Sequence, residues 1–263
     1  MLHLDRIRAV LFDMDGVLYR GRQKLAGVAE LLAFLNQRKF GYACITNNAS
    51  LTPAQYEAKL TAMGIAMPAA RVVTSAIATG RYLRERHPVG TRVFIVGMDG
   101  LREALLADGH FVLDEHLPEL VVQGADFNLT YETLRRATLF IRGGATYIAT
   151  NPDTTFPAEE GLIPGAGAVM AALVAATEAK PVVIGKPAPT MFTVAAELLG
   201  VDPAATLVIG DRLDTDIAGA NAAGMPSVMV LTGVSTQAEA TAGPVRPTAI
   251  YADLPSLLAA WQG

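Results

Sequence analysis

Residues 8–18 read RAVLFDMDGVL, and the other elements are placed outward from this run. Residues 9–12 are apolar without interruption, the signature of a short strand buried on both faces of a parallel sheet. The run ends in two carboxylates, Asp13 and Asp15, and then Gly16. Side chains alternate along an extended chain, so both acids project to the same side, and Gly16 allows a sharp turn. Asp and Gly are also ordinary turn formers. Two neighbouring carboxylates at the end of a core strand, however, repel each other and are costly to desolvate. A bound cation relieves both costs.

The 263 residues suffice for one large domain or two modest ones, and 51% apolar residues supply a sizeable core. With a net charge of −4 and no basic run, nucleic acid is not expected as a partner. One cysteine, Cys44, excludes a disulfide within the chain and fits a reducing, cytoplasmic setting. His3, His87, His110 and His116 lack metal-ligand spacing, which argues against zinc. Charges at Asp5, Arg6 and Arg8 leave no room for a signal-peptide core. The longest uncharged run, residues 161–177, falls short of the roughly 20 residues a membrane span needs. No membrane association is expected.

Along the chain, apolar strands alternate with helical periodicity, which predicts an α/β fold with a Rossmann-like, mostly parallel core sheet. Strands are expected at residues 41–45, 72–73, 93–96, 120–122, 145–149, 182–184, 206–209 and 227–231, with helices between them. The rhythm restarts near His87–Pro88, which suggests an α/β module inserted into the core. The expected division is 1–82 and 181–263 for the core and 83–180 for the insert.

Ligands of open parallel sheets bind beyond the carboxyl ends of the strands. Asp13 and Asp15 end the first strand, and Thr46 and Asn47 the second. Lys186 follows the strand at 182–184, and Asp211 the strand at 206–209, with Asp214 and Asp216 beyond it. Each has a bland reading alone: a turn Thr, a solvated Lys, acids at a helix start. Together they give one rim several acids, an ammonium and a hydroxyl. Mg²⁺ takes oxygen ligands in this style, one or two carboxylates with waters and phosphate. Asp13 and Asp211 could supply the carboxylates, while Thr46, nearby backbone N–H groups and Lys186 hold phosphate. A carboxylate can attack phosphorus to form an aspartyl-phosphate, if its repulsion from the phosphate is offset by cations. Asp15 could then protonate the leaving oxygen and later deprotonate the attacking water.

The set DMDG at 13–16, TNN at 46–48, Lys186 and GDRLDTD at 210–216, in this order, resembles the haloacid dehalogenase superfamily. With ATNPDTTFPAEEGLIPGAG at 149–167 and IGKPAP at 184–189, the chain most resembles the NagD-like, para-nitrophenyl-phosphatase-like branch, which carries a large α/β cap where this chain has its insert. The resemblance implies Asp13 as nucleophile and Mg²⁺ ligand. It implies Asp15 as acid/base whose backbone carbonyl also reaches the metal, and Thr46, Asn47, Asn48 and Lys186 as phosphate binders. Asp211 is implied as the second carboxylate ligand and Asp216 as a support behind it. An Asp at position 15 favours a phosphatase over the dehalogenase and phosphonatase branches. The implied substrate is a small phosphorylated metabolite such as a sugar phosphate, phosphoglycolate, a nucleotide or pyridoxal phosphate. The branch often dimerises, so a homodimer is an expectation by analogy alone.

Three other readings stand beside this one. A receiver-type phospho-accepting domain also uses acids, Thr and Lys at strand ends, but runs to about 100–150 residues and has no role for Asp15. A dinucleotide-binding oxidoreductase would rest on the GxGxx string at 165–170, which lacks the third glycine and reads as a helix start. A phosphotransferase of the same superfamily, passing the phosphoryl group to an alcohol, remains open.

Overall fold

The computed structural model describes residues 2–158 and 160–263, and they divide into two compact units. The first comprises residues 2–46, 54–73 and 186–263, the second residues 47–53, 74–158 and 160–185.

The first unit is built on β1 (Ala9–Phe12), in which every residue is fully buried. Removing Val10, Leu11 and Phe12 from water contributes roughly 1.5–3 kcal/mol each, as upper values. A short hairpin follows, β2 (Tyr19–Arg20) and β3 (Gln23–Lys24), then α1 (Val28–Gln37), β4 (Gly41–Thr46), α2 (Pro53–Ala62) and β5 (Val72–Thr74). Pro53 opens α2 at its first turn, where its missing N–H costs nothing.

The second unit takes up α3 (Ser75–Arg84), β6 (Thr91–Val96), α4 (Asp99–Leu106), β7 (Phe111–Leu113), β8 (Leu120–Gln123), α5 (Tyr131–Arg142) and β9 (Thr146–Ala149). It continues through the antiparallel hairpin β10 (Thr155–Ala158) and β11 (Gly161–Pro164) to α6 (Ala166–Thr177) and β12 (Val182–Val183). Its sheet has the order β12-β9-β8-β6-β7 with all pairs parallel. Phe94, Val121, Tyr147 and Leu173 share its core, where α5 and α6 pack.

The chain then completes the first unit with α7 (Thr190–Leu199), β13 (Thr206–Gly210), α8 (Ala218–Ala222), β14 (Ser227–Val230), α9 (Gln237–Ala242), β15 (Ala249–Tyr251) and α10 (Leu254–Gln262). This sheet has the order β15-β14-β13-β1-β4-β5, again all parallel where the register is given. From β1 the chain winds outward through β4 and β5, then returns to the other side of β1 to add β13, β14 and β15. The winding direction therefore reverses between β1 and β13, and such a reversal opens a crevice at the carboxyl ends of the two strands. α7 packs on β1 and β4, and α1 lies against α10, with Phe34 and Trp261 rings 5.6 Å apart.

Both edges of the insert differ from the sequence expectation. Residue 82 lies inside α3, which packs on α4 so closely that a Cβ on Gly80 would sit 2.7 Å from the Ala104 carbonyl. The strand expected to reopen the core, β12, instead pairs with β9 through Val182↔Ile148 and Val183↔Ala149. Lys186 thus does not end a core strand. It is the first residue of the chain's return to the first unit. A two-residue apolar run shows that a strand is present and not which sheet it joins. Among the described residues no helix is long and apolar enough to cross a membrane.

Candidate active site

β1 and β13 run level, Phe12 opposite Ile209, and the Asp13 N–H still donates to the Ile209 carbonyl at 2.9 Å. Asp13 and Asp211 therefore emerge side by side at the reversal point. Alternation past the strand puts Met14 in the core at 2% exposure and leaves Asp15 open to solvent. The turn is closed by Leu18 N–H to Met14 O at 2.8 Å and Gly16 N–H to Tyr19 O at 2.8 Å, with Gly16 at φ 80°. Thr46 is the last residue of β4, the other neighbour of β1.

Lys186 is buried and donates to two carboxylates, Asp13 Oδ1 and Asp216 Oδ1, the second at 2.7 Å. The other oxygen of Asp216 accepts the backbone N–H groups of Asp211 at 3.2 Å and Arg212 at 3.1 Å. This return is made by a π turn over Leu213–Ile217, where Ile217 N–H reaches Arg212 O at 3.1 Å. Such turns recur at functional sites. A Cβ on Gly210 would lie 2.3 Å from Asp216 Cβ, so only glycine fits there.

Asp211 is held from one side. Its Oδ2 accepts Val234 N–H at 2.7 Å, and its carbonyl accepts Ser235 N–H at 3.0 Å. Its Oδ1 is buried with no hydrogen-bond partner. Carboxylate oxygens of Asp13, Asp211 and Asp216 lie within 4.8 Å of one another. Burial raises the Asp13 carboxyl to about 7, with Asp216 and Asp211 adding to the shift and Lys186 opposing it. Burial and Asp216 likewise raise Asp211 to about 6, against Val234 N–H and Lys186. Burial alone would push the Lys186 ammonium down, but Asp13 and Asp216 hold it above its ordinary value. A further cation fits this donor set. Asp216 has both oxygens engaged, whereas Asp13 and the orphaned Asp211 oxygen are the hard ligands a divalent ion takes.

Asp15 faces a different environment. Desolvation raises its pKa, opposed by Lys59 and Arg20. Lys59 donates to the Tyr19 hydroxyl at 3.2 Å and lies 4.7 Å from the centre of that ring. Asn47 and Asn48 follow Thr46 directly, but they belong to the second unit. There Asn47 Nδ2 donates to Asp153 Oδ1 at 3.2 Å, and Asn48 Oδ1 accepts Ser50 N–H at 2.8 Å. The first unit thus gathers Asp13, Asp15, Lys186, Asp211 and Asp216, with Thr46 on the adjoining strand.

Comparison with known proteins identifies the family of the chain. A haloacid dehalogenase-like hydrolase family model matches residues 10–110, and a HAD-hydrolase-like model matches residues 183–257. The acid sugar phosphatase of Staphylococcus saprophyticus is 38% identical over 251 residues, 95% of this chain and 96% of that protein. The 4-nitrophenylphosphatase of Thermotoga maritima superposes with a TM-score of 0.93 at 38% identity, covering 99% and 100% of the two chains. The glycerol phosphate phosphatase of Mycobacterium tuberculosis, solved in complex with magnesium, gives 0.89 at 40% identity over 97% and 77%.

The chain belongs to the haloacid dehalogenase-like hydrolases.

Within that family it is a phosphatase of the NagD-like, nitrophenyl-phosphatase-like branch. The receiver and oxidoreductase readings fall with this assignment. The GxGxx string proves to lead into α6, with Gly165 as its N-cap. Sequence reasoning missed the loop after β14, although this phosphatase uses Val234 and Ser235 to hold Asp211. A Cβ on Gly233 would lie 1.9 Å from Asp211 Oδ2, and one on Gly16 would lie 2.7 Å from it. The only signal was position, a glycine following a core strand. A cavity of about 690 Å³ lies at the other end of β1, around Arg8, Arg38 and Trp261, away from the hydrolase's acid cluster.

Proposed function

We propose that this protein is a Mg²⁺-dependent phosphatase that hydrolyses small phosphomonoesters through an aspartyl-phosphate on Asp13. The reading is carried by one observation: the partnerless, buried Asp211 Oδ1 beside Asp13 and Lys186. Asp13, Asp211 and the Asp15 carbonyl would hold the ion, which when bound neutralises charge on the phosphate. Asp13 Oδ attacks phosphorus, the ester bond breaks, and Asp15 gives its proton to the departing oxygen. Asp15 then takes a proton from the water that cleaves the acyl-phosphate. Lys186 and Thr46, with Asn47 and Asn48 following it, bind the phosphoryl oxygens, and Asp216 keeps Lys186 aimed. Positioned proton transfer of this kind typically gives about 10²–10⁴-fold.

The relatives' names favour sugar phosphates and glycerol phosphate as substrates, and the single buried cysteine favours the cytoplasm. Purified protein with Mg²⁺ should release phosphate from para-nitrophenyl phosphate and stop on chelation. Asp13→Asn should fold and be inactive. Turnover above about a tenth of wild type, a loss under ~1.4 kcal/mol, would exclude Asp13 as nucleophile. Asp15→Asn should slow sugar phosphates more than para-nitrophenyl phosphate, whose leaving group needs no proton. Equal losses would remove the acid role. A panel of phosphomonoesters, with alcohols added as acceptors, separates hydrolysis from phosphoryl transfer.

A further inference from the structure

In the second unit Asn47 sits in a buried polar network with Ser75, Asn151 and Asp153, three residues to which the reaction scheme gives no part. The Asn47 carbonyl accepts two hydrogen bonds there, from Ser75 Oγ at the start of α3 and from Asn151 Nδ2 at 2.7 Å. Its side-chain amide donates to Asp153 Oδ1 at 3.2 Å, and Asp153 N–H is tied to Asn151 Oδ1 at 3.1 Å. Asn47, Ser75 and Asn151 are all at most 6% exposed. Gly185 seals the other side: a Cβ on it would lie 2.6 Å from Asn47 Oδ1 and 2.5 Å from the Thr150 carbonyl.

Both lone pairs of the Asn47 carbonyl are thus used. The peptide that follows is planar and trans, so its N–H, which belongs to Asn48, points opposite to that carbonyl. Fixing the carbonyl towards Ser75 and Asn151 therefore fixes the Asn48 N–H away from them. The peptide cannot turn over without breaking both buried bonds.

We propose that Ser75, Asn151 and Asp153 are positioning residues for phosphate binding. They lock the Asn47–Asn48 peptide and the Asn47 carboxamide so that the loop after β4 presents its donors to the phosphoryl group in one orientation. The proposal rests on the phosphatase reading above, in which that loop binds phosphate. Asn151 and Asp153 act through Asn47 and need no contact with substrate.

The test uses the whole protein with Mg²⁺. Asn151→Ala and Asp153→Ala should raise KM for para-nitrophenyl phosphate, and Ki for inorganic phosphate, about tenfold, the scale of one lost buried hydrogen bond. kcat should change less than KM. Asp153→Asn retains an oxygen acceptor for Asn47 and should stay within about threefold of wild type. In ¹H–¹⁵N spectra, inorganic phosphate should shift the Asn48 amide in wild type and Asp153→Asn, and much less in Asn151→Ala. Should Asn151→Ala fold poorly, Ser75→Ala removes the other donor and carries the same expectation. KM and Ki within twofold of wild type in both alanine variants overturn the lock, as does an Asn48 amide indifferent to phosphate in wild type. Asp13→Asn, run alongside, separates the two failures. If it keeps turnover, the catalytic reading is lost, and the amide response still decides the lock.

Discussion

Gly233→Ala tests the proposed metal site from a residue that takes no part in the proposed chemistry. The new methyl would begin 1.9 Å from Asp211 Oδ2, 2.3 Å from its Cγ and 2.4 Å from its Cβ. A tolerable contact needs at least 3.0 Å, so relief requires movement of about 1 Å. Rotating the carboxylate does not clear the Cβ contact, so the Leu231–Ser235 loop or Asp211 itself must shift. Either breaks the 2.7 Å bond from Val234 N–H to Oδ2. A hydrogen bond to a charged group contributes about 1.5–3 kcal/mol, which converts to roughly a ten- to hundredfold loss of Mg²⁺ affinity. A displacement of about 1 Å near reacting groups can cost about 10²-fold in rate. Phosphate release measured against Mg²⁺ concentration should therefore show a higher half-saturating concentration and a lower plateau. Calorimetric titration of Mg²⁺ gives the affinity directly. A variant whose Mg²⁺ dependence lies within about threefold of wild type would refute the assignment of Asp211 as ligand.

Other outcomes follow from the same cluster. Lys186→Met leaves Asp13 and Asp216 buried against each other without their shared ammonium. It should abolish turnover and destabilise the chelated protein by about 3–5 kcal/mol in urea unfolding, less with Mg²⁺ present; an unchanged midpoint would show that the pairing is not structural. The chelated protein should also lose stability as pH rises from about 4 to about 7. Asp13 and Asp211 have folded pKa values raised to about 7 and about 6, so the folded state binds the extra protons and ionisation there favours unfolding. Lys186, also shifted up, keeps its contribution throughout this range. Melting temperatures with Mg²⁺ and with chelator should accordingly diverge as pH increases, since the ion competes with those protons. A gap that is constant between pH 5 and 8 would argue that Mg²⁺ binds elsewhere.

Much of the site was legible because its chemistry sits at the ends of strong apolar runs. Asp13 and Asp211 could be placed from the strands before them, since parallel pairing brings like ends together. What could not be read was long-range geometry expressed through small residues and backbone. The clearance at Gly210 and Gly233, the π turn that folds Asp216 back onto Asp211 N–H, and the loop behind Asp211 carry no compositional mark. The same limit misplaced residues 182–184, whose apolar pattern suits either sheet, and hid the grouping of Asn47 with Asn151 and Asp153, about a hundred residues away in sequence.

The path of the chain between the two units also constrains recombination with relatives. Transplanting residues 74–185 alone would separate Ser75, Asn151 and Asp153 from the acceptor and donor that Asn47 supplies. A chimaera that exchanges the second unit must therefore carry residues 47–53 as well, so that two separate stretches of chain travel together.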